Sequence, residues 1–250
     1  MRKLLILCFI AVSTFGYSQK EIAWFDAAIK IMYGSSNIIN NAVIDDPNLN
    51  YDLNFGTAVG FGGKFGINKG YNGLAIELLY TSSGQTFEGL SNPAEGINYP
   101  AAPKVEWKSL DLYLLFRNAK NLGFFEIGPK IGFLRSMKRT DADGQLTDFA
   151  EINKKQISAV LGFGVNVIGT DGSFSGQIGL RFEYGFTDLN GQETLGAGAE
   201  PFPYATNVYN GSKGYQKSSP IYAGLVFELN WGLGYYGIAQ CGARAKFFKT

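Results

Sequence analysis

Histidine is absent from all 250 residues, and cysteine occurs only at Cys8 and Cys241. The first absence removes the commonest general base and the commonest metal ligand before any motif is sought. The second removes the internal disulfide. Cys8 falls in an exported leader, so a mature chain keeps one cysteine and its stability has to come from the fold itself. Charge is scarce at 17%, and the formal net charge is +1. That leaves no electrostatic footprint for nucleic acid, which is dropped as a partner class. Beyond the N-terminus no helical stripe is sustained.

The opening, MRKLLILCFIAVSTFGYS, has basic residues Arg2 and Lys3, an apolar centre from Leu4 to Val12, and Gly16 and Ser18 at signal-peptidase spacing. It predicts a Sec signal peptide over 1–18, cleaved after Ser18. The apolar stretch is too short, with the wrong flanks, to remain as a transmembrane helix. Leu7 before Cys8 argues against lipidation. The expected plan is a leader over 1–18, one domain over 19–236 and a C-terminal tail over 237–250.

What the chain does have is aromatic residues at 15% and 33 glycines, a composition of strands and turns. Eight runs alternate with period two. Their apolar faces are Phe25, Ala27, Ile29, Ile31 and Tyr33; Phe55, Val59, Phe61, Phe65 and Ile67; Leu74, Ile76, Leu78 and Tyr80; Leu110, Leu112, Leu114 and Phe116; Phe125, Ile127, Ile131 and Phe133; Ile157, Ala159, Leu161, Phe163, Val165 and Val167; Phe174, Ile178, Leu180, Phe182, Tyr184 and Phe186; and Ile221 through Tyr235 at every second residue. Short connections follow the even runs. Long polar ones, roughly 35–51, 85–104, 138–154 and 190–218, follow the odd ones. Sorted loops and an even strand count predict an all-β fold: an eight-stranded antiparallel up-and-down transmembrane barrel with four long extracellular loops and short periplasmic turns.

Residue size decides which face is outside. The polar faces are crowded with glycine, and the interior of an eight-stranded barrel is only wide enough to be filled by side chains, so the small face belongs inside. The large face then meets lipid, where an unpaired edge is not tolerated and the sheet must close. Tyr33, Tyr80, Tyr184, Trp231 and Tyr235 fall at run ends, where interfacial aromatics are expected. The inward charges are the acids Asp26, Glu77, Asp111, Glu126, Glu183 and Glu228 and the bases Lys30, Lys64, Arg117, Lys130 and Arg181. Their near balance predicts mutual pairing and a plugged interior. Within FFEIGPKIGF, Phe124 to Phe133, Glu126 and Lys130 are four residues apart, about 13 Å at strand rise. They are too far apart to pair with each other. Pro129 should leave a gap in the ladder or mark a bulge.

Three chemical motifs are weighed and set aside. GFGGKFG at Gly60 to Gly66 keeps its alternation, so its glycines are strand positions and not a phosphate loop. TDADGQLTDF, with Asp141, Asp143 and Asp148, lacks the ligand spacing of a calcium loop. Glu183 and Glu228 read as ion-pair partners, not as an acid and base pair. No metal, cofactor or catalytic residue is expected.

GLAIELLYTSSGQ (Gly73 to Gln85), SLDLYLLFRN (Ser109 to Asn118) and FEIGPKIGF (Phe125 to Phe133) resemble strands of the PorT-like outer-membrane β-barrel proteins of Bacteroidota, over nearly all of the mature chain. Two features depart from that pattern: Tyr113 stands where a proline is usual, and GIAQCGARAKFFKT follows the last strand. YAGLVFEL, Tyr222 to Leu229, looks like the signal read by barrel-assembly machinery. The resemblance implies an integral outer-membrane protein without enzymatic activity, in one branch linked to type IX secretion. Enzymes among small barrels of this kind depend on histidine, which is missing. The expected function is a scaffold or accessory subunit of an outer-membrane complex with a protein partner. The alternatives are a narrow porin-like channel and a soluble exported ligand-binding barrel.

Overall fold

The computed structural model describes residues 23–40, 50–52, 56–86, 88–92, 97–98, 104–120, 123–140, 145–148, 152–169, 174–189 and 217–236. The leader, most of the 190–218 loop, Phe55, Asp141, Asp143 and the 237–250 tail with Cys241 lie outside the described residues, as does the side chain of Tyr235.

The strands in chain order are β1 (Ala23–Ile39), β2 (Asn50–Asp52), β3 (Gly56–Lys69), β4 (Asn72–Thr86), β5 (Glu88–Asn92), β6 (Ile97–Asn98), β7 (Lys104–Lys120), β8 (Gly123–Thr140), β9 (Leu146–Asp148), β10 (Lys155–Ile168), β11 (Phe174–Gly185) and β12 (Ser219–Tyr236). Eight of them close a ring in which each strand pairs antiparallel with its neighbours, in the order β1, β3, β4, β7, β8, β10, β11, β12 and back to β1. This is the expected eight-stranded up-and-down barrel. β9 pairs antiparallel with the last residues of β8, and β2, β5 and β6 form a separate small sheet.

The ring strands run from 12 to 18 residues, against the roughly 9 to 11 that a tilted strand needs to cross a bilayer. Their excess length extends past the apolar band. Alternation is visible residue by residue in β4: Leu74, Ile76, Leu78 and Tyr80 are exposed on the wall, and Ala75, Glu77, Leu79 and Thr81 are buried inside. The turn between β3 and β4 is Gly70–Tyr71, where Gly70 has φ +61°, a conformation that L side chains rarely adopt.

The interior is less polar than the sequence pattern suggests. Met32, Ala58, Ala75, Leu79, Tyr113, Leu115, Val160, Tyr222 and Val226 form an apolar cluster within the ring. Leu78-Leu79 and Leu114-Leu115 put a large residue on each face, and reading for one apolar face misses the inner partner.

Pro129 marks a gap and not a bulge. The β7 to β8 ladder pairs Tyr113 with Lys130 and resumes at Phe116 with Ile127, the same separation on both strands, so two rungs are missing and the register does not shift. On its other side Pro129 pairs with Ala159 in an unbroken ladder. A proline is tolerated here because its missing amide falls at the interrupted rungs.

The seam between the first and last strands is tight. A Cβ on Gly34 would lie 2.4 Å from Cα of Gly224, its register partner, and one on Gly224 would lie 2.6 Å from Cα of Gly34. A side chain there would push the two backbones apart. Gly224→Val is therefore expected to block closure, leaving the protein at its unfolded position in an unheated gel, whereas Ala223→Val, on the outer face beside it, should still give the compact, heat-sensitive band. On the wall, Phe61→Arg at mid-strand should cost about 2 to 4 kcal/mol if Phe61 meets lipid, measured by urea unfolding from lipid vesicles.

Candidate functional site

β1, β3, β4, β7, β8, β11 and β12 each send charged side chains into the lumen, because the period-two rule that turns Ile29 and Ile31 outward turns Lys30 inward. The charges meet in two groups.

The larger one occupies the middle of the barrel. Lys30 Nζ bonds Glu77, lies 2.9 Å from Glu228 Oε2 and is 3.7 Å from Glu126 Oε2. Arg181 spans two carboxylates, with Nη1 2.9 Å from Glu77 Oε2, Nε 3.0 Å from Glu126 Oε1, and Nη2 also bonded to Glu126. Arg117 Nη1 donates to Glu228 Oε2 at 3.0 Å, and its Nη2 donates to Gln177. Lys64 donates to Glu228 Oε1 and Asn230 Oδ1, both at 2.6 Å, and lies 3.5 Å from Asp26 Oδ1. Four cations thus face four carboxylates. Lys30, Glu77 and Arg181 have 0% exposure, so each ion depends on its neighbours, not on water, for compensation.

The smaller group lies toward the long-loop end. Lys130 bonds Glu183 and sits 3.5 Å from Asp111 Oδ2. Tyr113 donates its hydroxyl to Glu183 Oε1 at 3.0 Å, and its ring lies under Arg181 at 4.9 Å and Lys130 at 5.7 Å. Tyr113 therefore links the two groups. Thr81 donates to Asp111 Oδ2 at 2.9 Å and shares a 2.7 Å hydrogen bond with Ser109. Thr81, Ser109, Asp111, Lys130 and Glu183 border a cavity of about 40 Å³ whose polar lining also includes Ser36, Ser83, Ser158 and Tyr222. That volume admits ordered water, and the lining supplies its partners.

All eleven charges read from the sequence point into the lumen. Glu126 and Lys130 take partners on other strands. Not assigned to the network from the sequence were Tyr113, Gln177, Asn230, Thr81 and Ser109, although each shares inward parity with a charged residue of its own strand: Tyr113 and Ser109 with Asp111, Asn230 with Glu228, Thr81 with Glu77 and Gln177 with Arg181. Of the aromatic positions, Tyr33, Tyr80, Tyr184 and Trp231 are exposed on the wall, with Trp231 packed on Phe174 at 5.7 Å and Tyr184 on Phe186 at 5.5 Å. Asp148 is exposed, 3.9 Å from Lys138 Nζ. Gly60, Gly62 and Gly66 lie within β3.

A closed ring with large apolar side chains outside and ion pairs inside is the build of an integral membrane barrel, since a soluble barrel turns its apolar face inward. The soluble ligand-binding alternative is set aside on that ground. The chain belongs to the outer membrane protein beta-barrel domain family, whose model matches residues 19–191. Among solved structures it is similar to the N-terminal β-barrel domain of OprF from Pseudomonas aeruginosa, at 12% identity over 82% of this chain and 97% of that one, with a TM-score of 0.32. It is also similar to the outer membrane protein OprG from the same organism, at 10% identity over 89% and 99% of the two chains, with a TM-score of 0.38. No curated protein matches the chain. Family membership places it in the outer membrane.

Removing one member of the central group leaves its partners charged and buried. Arg181→Met should destabilise the barrel by about 3 to 5 kcal/mol, the usual cost of breaking a buried pair, because Glu77 and Glu126 both lose the guanidinium that bridges them. Lys138→Met, whose partner Asp148 is solvent-exposed, should change stability by less than about 1 kcal/mol. Urea titration of vesicle-embedded protein, followed by tryptophan fluorescence, separates the two.

Proposed function

We propose that this protein is a non-enzymatic outer-membrane barrel that works as a scaffold or accessory subunit of an outer-membrane complex. The observation that carries this reading is the cross-lumen ion network, in which Lys30, Arg117 and Arg181 each reach carboxylates on other strands across the ring. A lumen filled this way leaves the loops and the outer wall as the working surfaces. The resemblance of its strands to the PorT-like proteins supports a place in secretion, type IX by analogy, or in barrel assembly. With no histidine in the chain, the acid-base chemistry usual in small barrel enzymes has no residue to run it. The leader over 1–18 supports export by the Sec route, with cleavage after Ser18.

A second reading, a narrow pore, is favoured by a different observation. Polar side chains line the lumen from Asn68 and Asn166 at the short-turn end to Ser36 and Asn40 at the long-loop end, so rearranging ion pairs would wet a path without displacing an apolar plug at every level.

Planar-bilayer recording tests both. The scaffold reading expects no discrete steps from the wild type. Stable single-channel steps whose conductance or selectivity changes in Arg181→Ala or Lys130→Ala would replace it with the pore. Crosslinking of native outer membranes followed by mass spectrometry should recover a stoichiometric protein neighbour. Recovery of none above background would sink the subunit role.

A further inference from the structure

At the long-loop end, the outer wall carries a cluster of cations that the lumen network does not use. Lys108 on β7, Arg135 on β8, and Lys154 and Lys155 at the start of β10 are all exposed. They occupy three adjacent strands. Lys108 is the register partner of Ser136 and Lys155 that of Phe133, while the amide of Leu134 donates to the carbonyl of Lys154 at 2.9 Å. With neighbouring strands about 4.8 Å apart, the Cα atoms of Lys108, Arg135 and Lys155 fall within roughly 10 Å to 12 Å of one another.

Arg135 sits at a bulge. Ser109 pairs with Leu134 and Lys108 with Ser136, so Arg135 is the extra residue of β8. Its outward position continues the alternation of Phe133, and it sets a guanidinium between two lysines on the neighbouring strands. Among the described residues, none of these four side chains has an ion-pair or hydrogen-bond partner. Among the described residues the nearby acids are engaged elsewhere: Glu106 lies 2.5 Å from Lys104, and Asp148 is 3.9 Å from Lys138. Toward the same end, β3, β4 and β11 present the uncharged Thr57, Ser82 and Tyr184 on the wall.

The cluster starts where the lipid-facing band stops, since the outward residues just below it are Leu110, Phe133 and Ile157. Four like charges held together at the edge of an apolar band call for a dense anion at that depth. The guanidinium fork matches phosphate bidentately, with lysines as flanking point charges. Long loops are extracellular in outer-membrane barrels, so this depth is the headgroup level of the outer leaflet. We infer that the Lys108, Arg135, Lys154 and Lys155 sector binds the phosphates of an outer-leaflet glycolipid of the lipid A class. The inference rests on the reading of the long-loop end as extracellular.

The test uses the full mature chain folded in detergent, its folding verified by heat-dependent gel migration, and titrated with bisphosphoryl lipid A in mixed micelles. Combined Lys108→Ser, Arg135→Ser and Lys155→Ser substitution should weaken binding at least tenfold. Lys217→Ser, elsewhere on the loop-side rim, should leave it unchanged. Lipid A stripped of both phosphates should bind wild type and triple variant alike. Equal affinity of wild type and triple variant for bisphosphoryl lipid A overturns the site. Competition by millimolar inorganic phosphate overturns its assignment to a lipid. Orientation is read separately, by labelling Thr140→Cys in a Cys241→Ser background with an impermeant maleimide on whole cells. Failure to label removes the outer leaflet as the source even where micelle binding survives.

Discussion

The pairing of β12 with β1 is the contact on which the rest of the molecule depends. Until it forms, the sheet has two open edges, each a row of unpaired amides and carbonyls that a bilayer core cannot satisfy. Once it forms, inside and outside are defined, and the alternation of every strand sorts its side chains between two solvents. The seam achieves close approach by giving up side chains at Gly34 and Gly224, whose Cα atoms nearly touch. The same register sets Lys30 beside Glu228, so closing the backbone also delivers one of the cations of the lumen to a carboxylate.

Closure makes the ion network both necessary and possible. A ring of eight strands leaves an interior only as wide as the side chains that fill it, and this one receives charge from seven strands. Each ion is costly alone, and the structure answers by multiplicity: Glu228 faces Lys30, Lys64 and Arg117, and Glu126 faces Arg181, Lys30 and Arg117. Such sharing ties strands that are not neighbours in the sheet. Backbone ladders resist separation along the wall, whereas Arg181 to Glu77 and Lys64 to Glu228 bridge the lumen itself. The apolar cluster of Leu79, Leu115, Val160 and Val226 sits among these bridges and keeps their surroundings dry, which strengthens each pairing as it raises the cost of losing one.

Much of this was legible in the sequence, because the determining variable is parity. FFEIGPKIGF assigns Phe125, Ile127 and Phe133 to one face and Glu126 and Lys130 to the other, and that assignment alone implies a barrel once eight runs are counted. Parity says nothing about partners. Arg117 and Glu228 are 111 residues apart and Lys64 and Glu228 164; their meeting follows from strand order, register and barrel curvature together. Tyr113 was hidden for another reason: a tyrosine at an inward position looks like an exception until its hydroxyl is found on Glu183 and its ring under two cations. The bulge at Arg135 was illegible: alternation carries Phe133 and Arg135 outward as expected, and only after it does parity flip, with Met137 buried and Lys138 exposed. The strict alternation that identifies the strand cannot announce where it is broken.

That break bears on what the barrel can do. A wall that is apolar through its middle and uncharged around most of its loop-side rim has no preferred neighbour in the membrane plane. The bulge at Arg135 and the flanking Lys108 and Lys155 give it one. A scaffold held in a complex needs such an orientation, since its loops face a partner only if its rotation about the membrane normal is restricted. A pore has no such need, because conduction is indifferent to rotation. Ion pairs cross the lumen, and among the described residues the cations without partners at the loop-side end gather on β7, β8 and β10. For the proposed scaffold, both features leave the barrel's surface, and not its axis, as the working part.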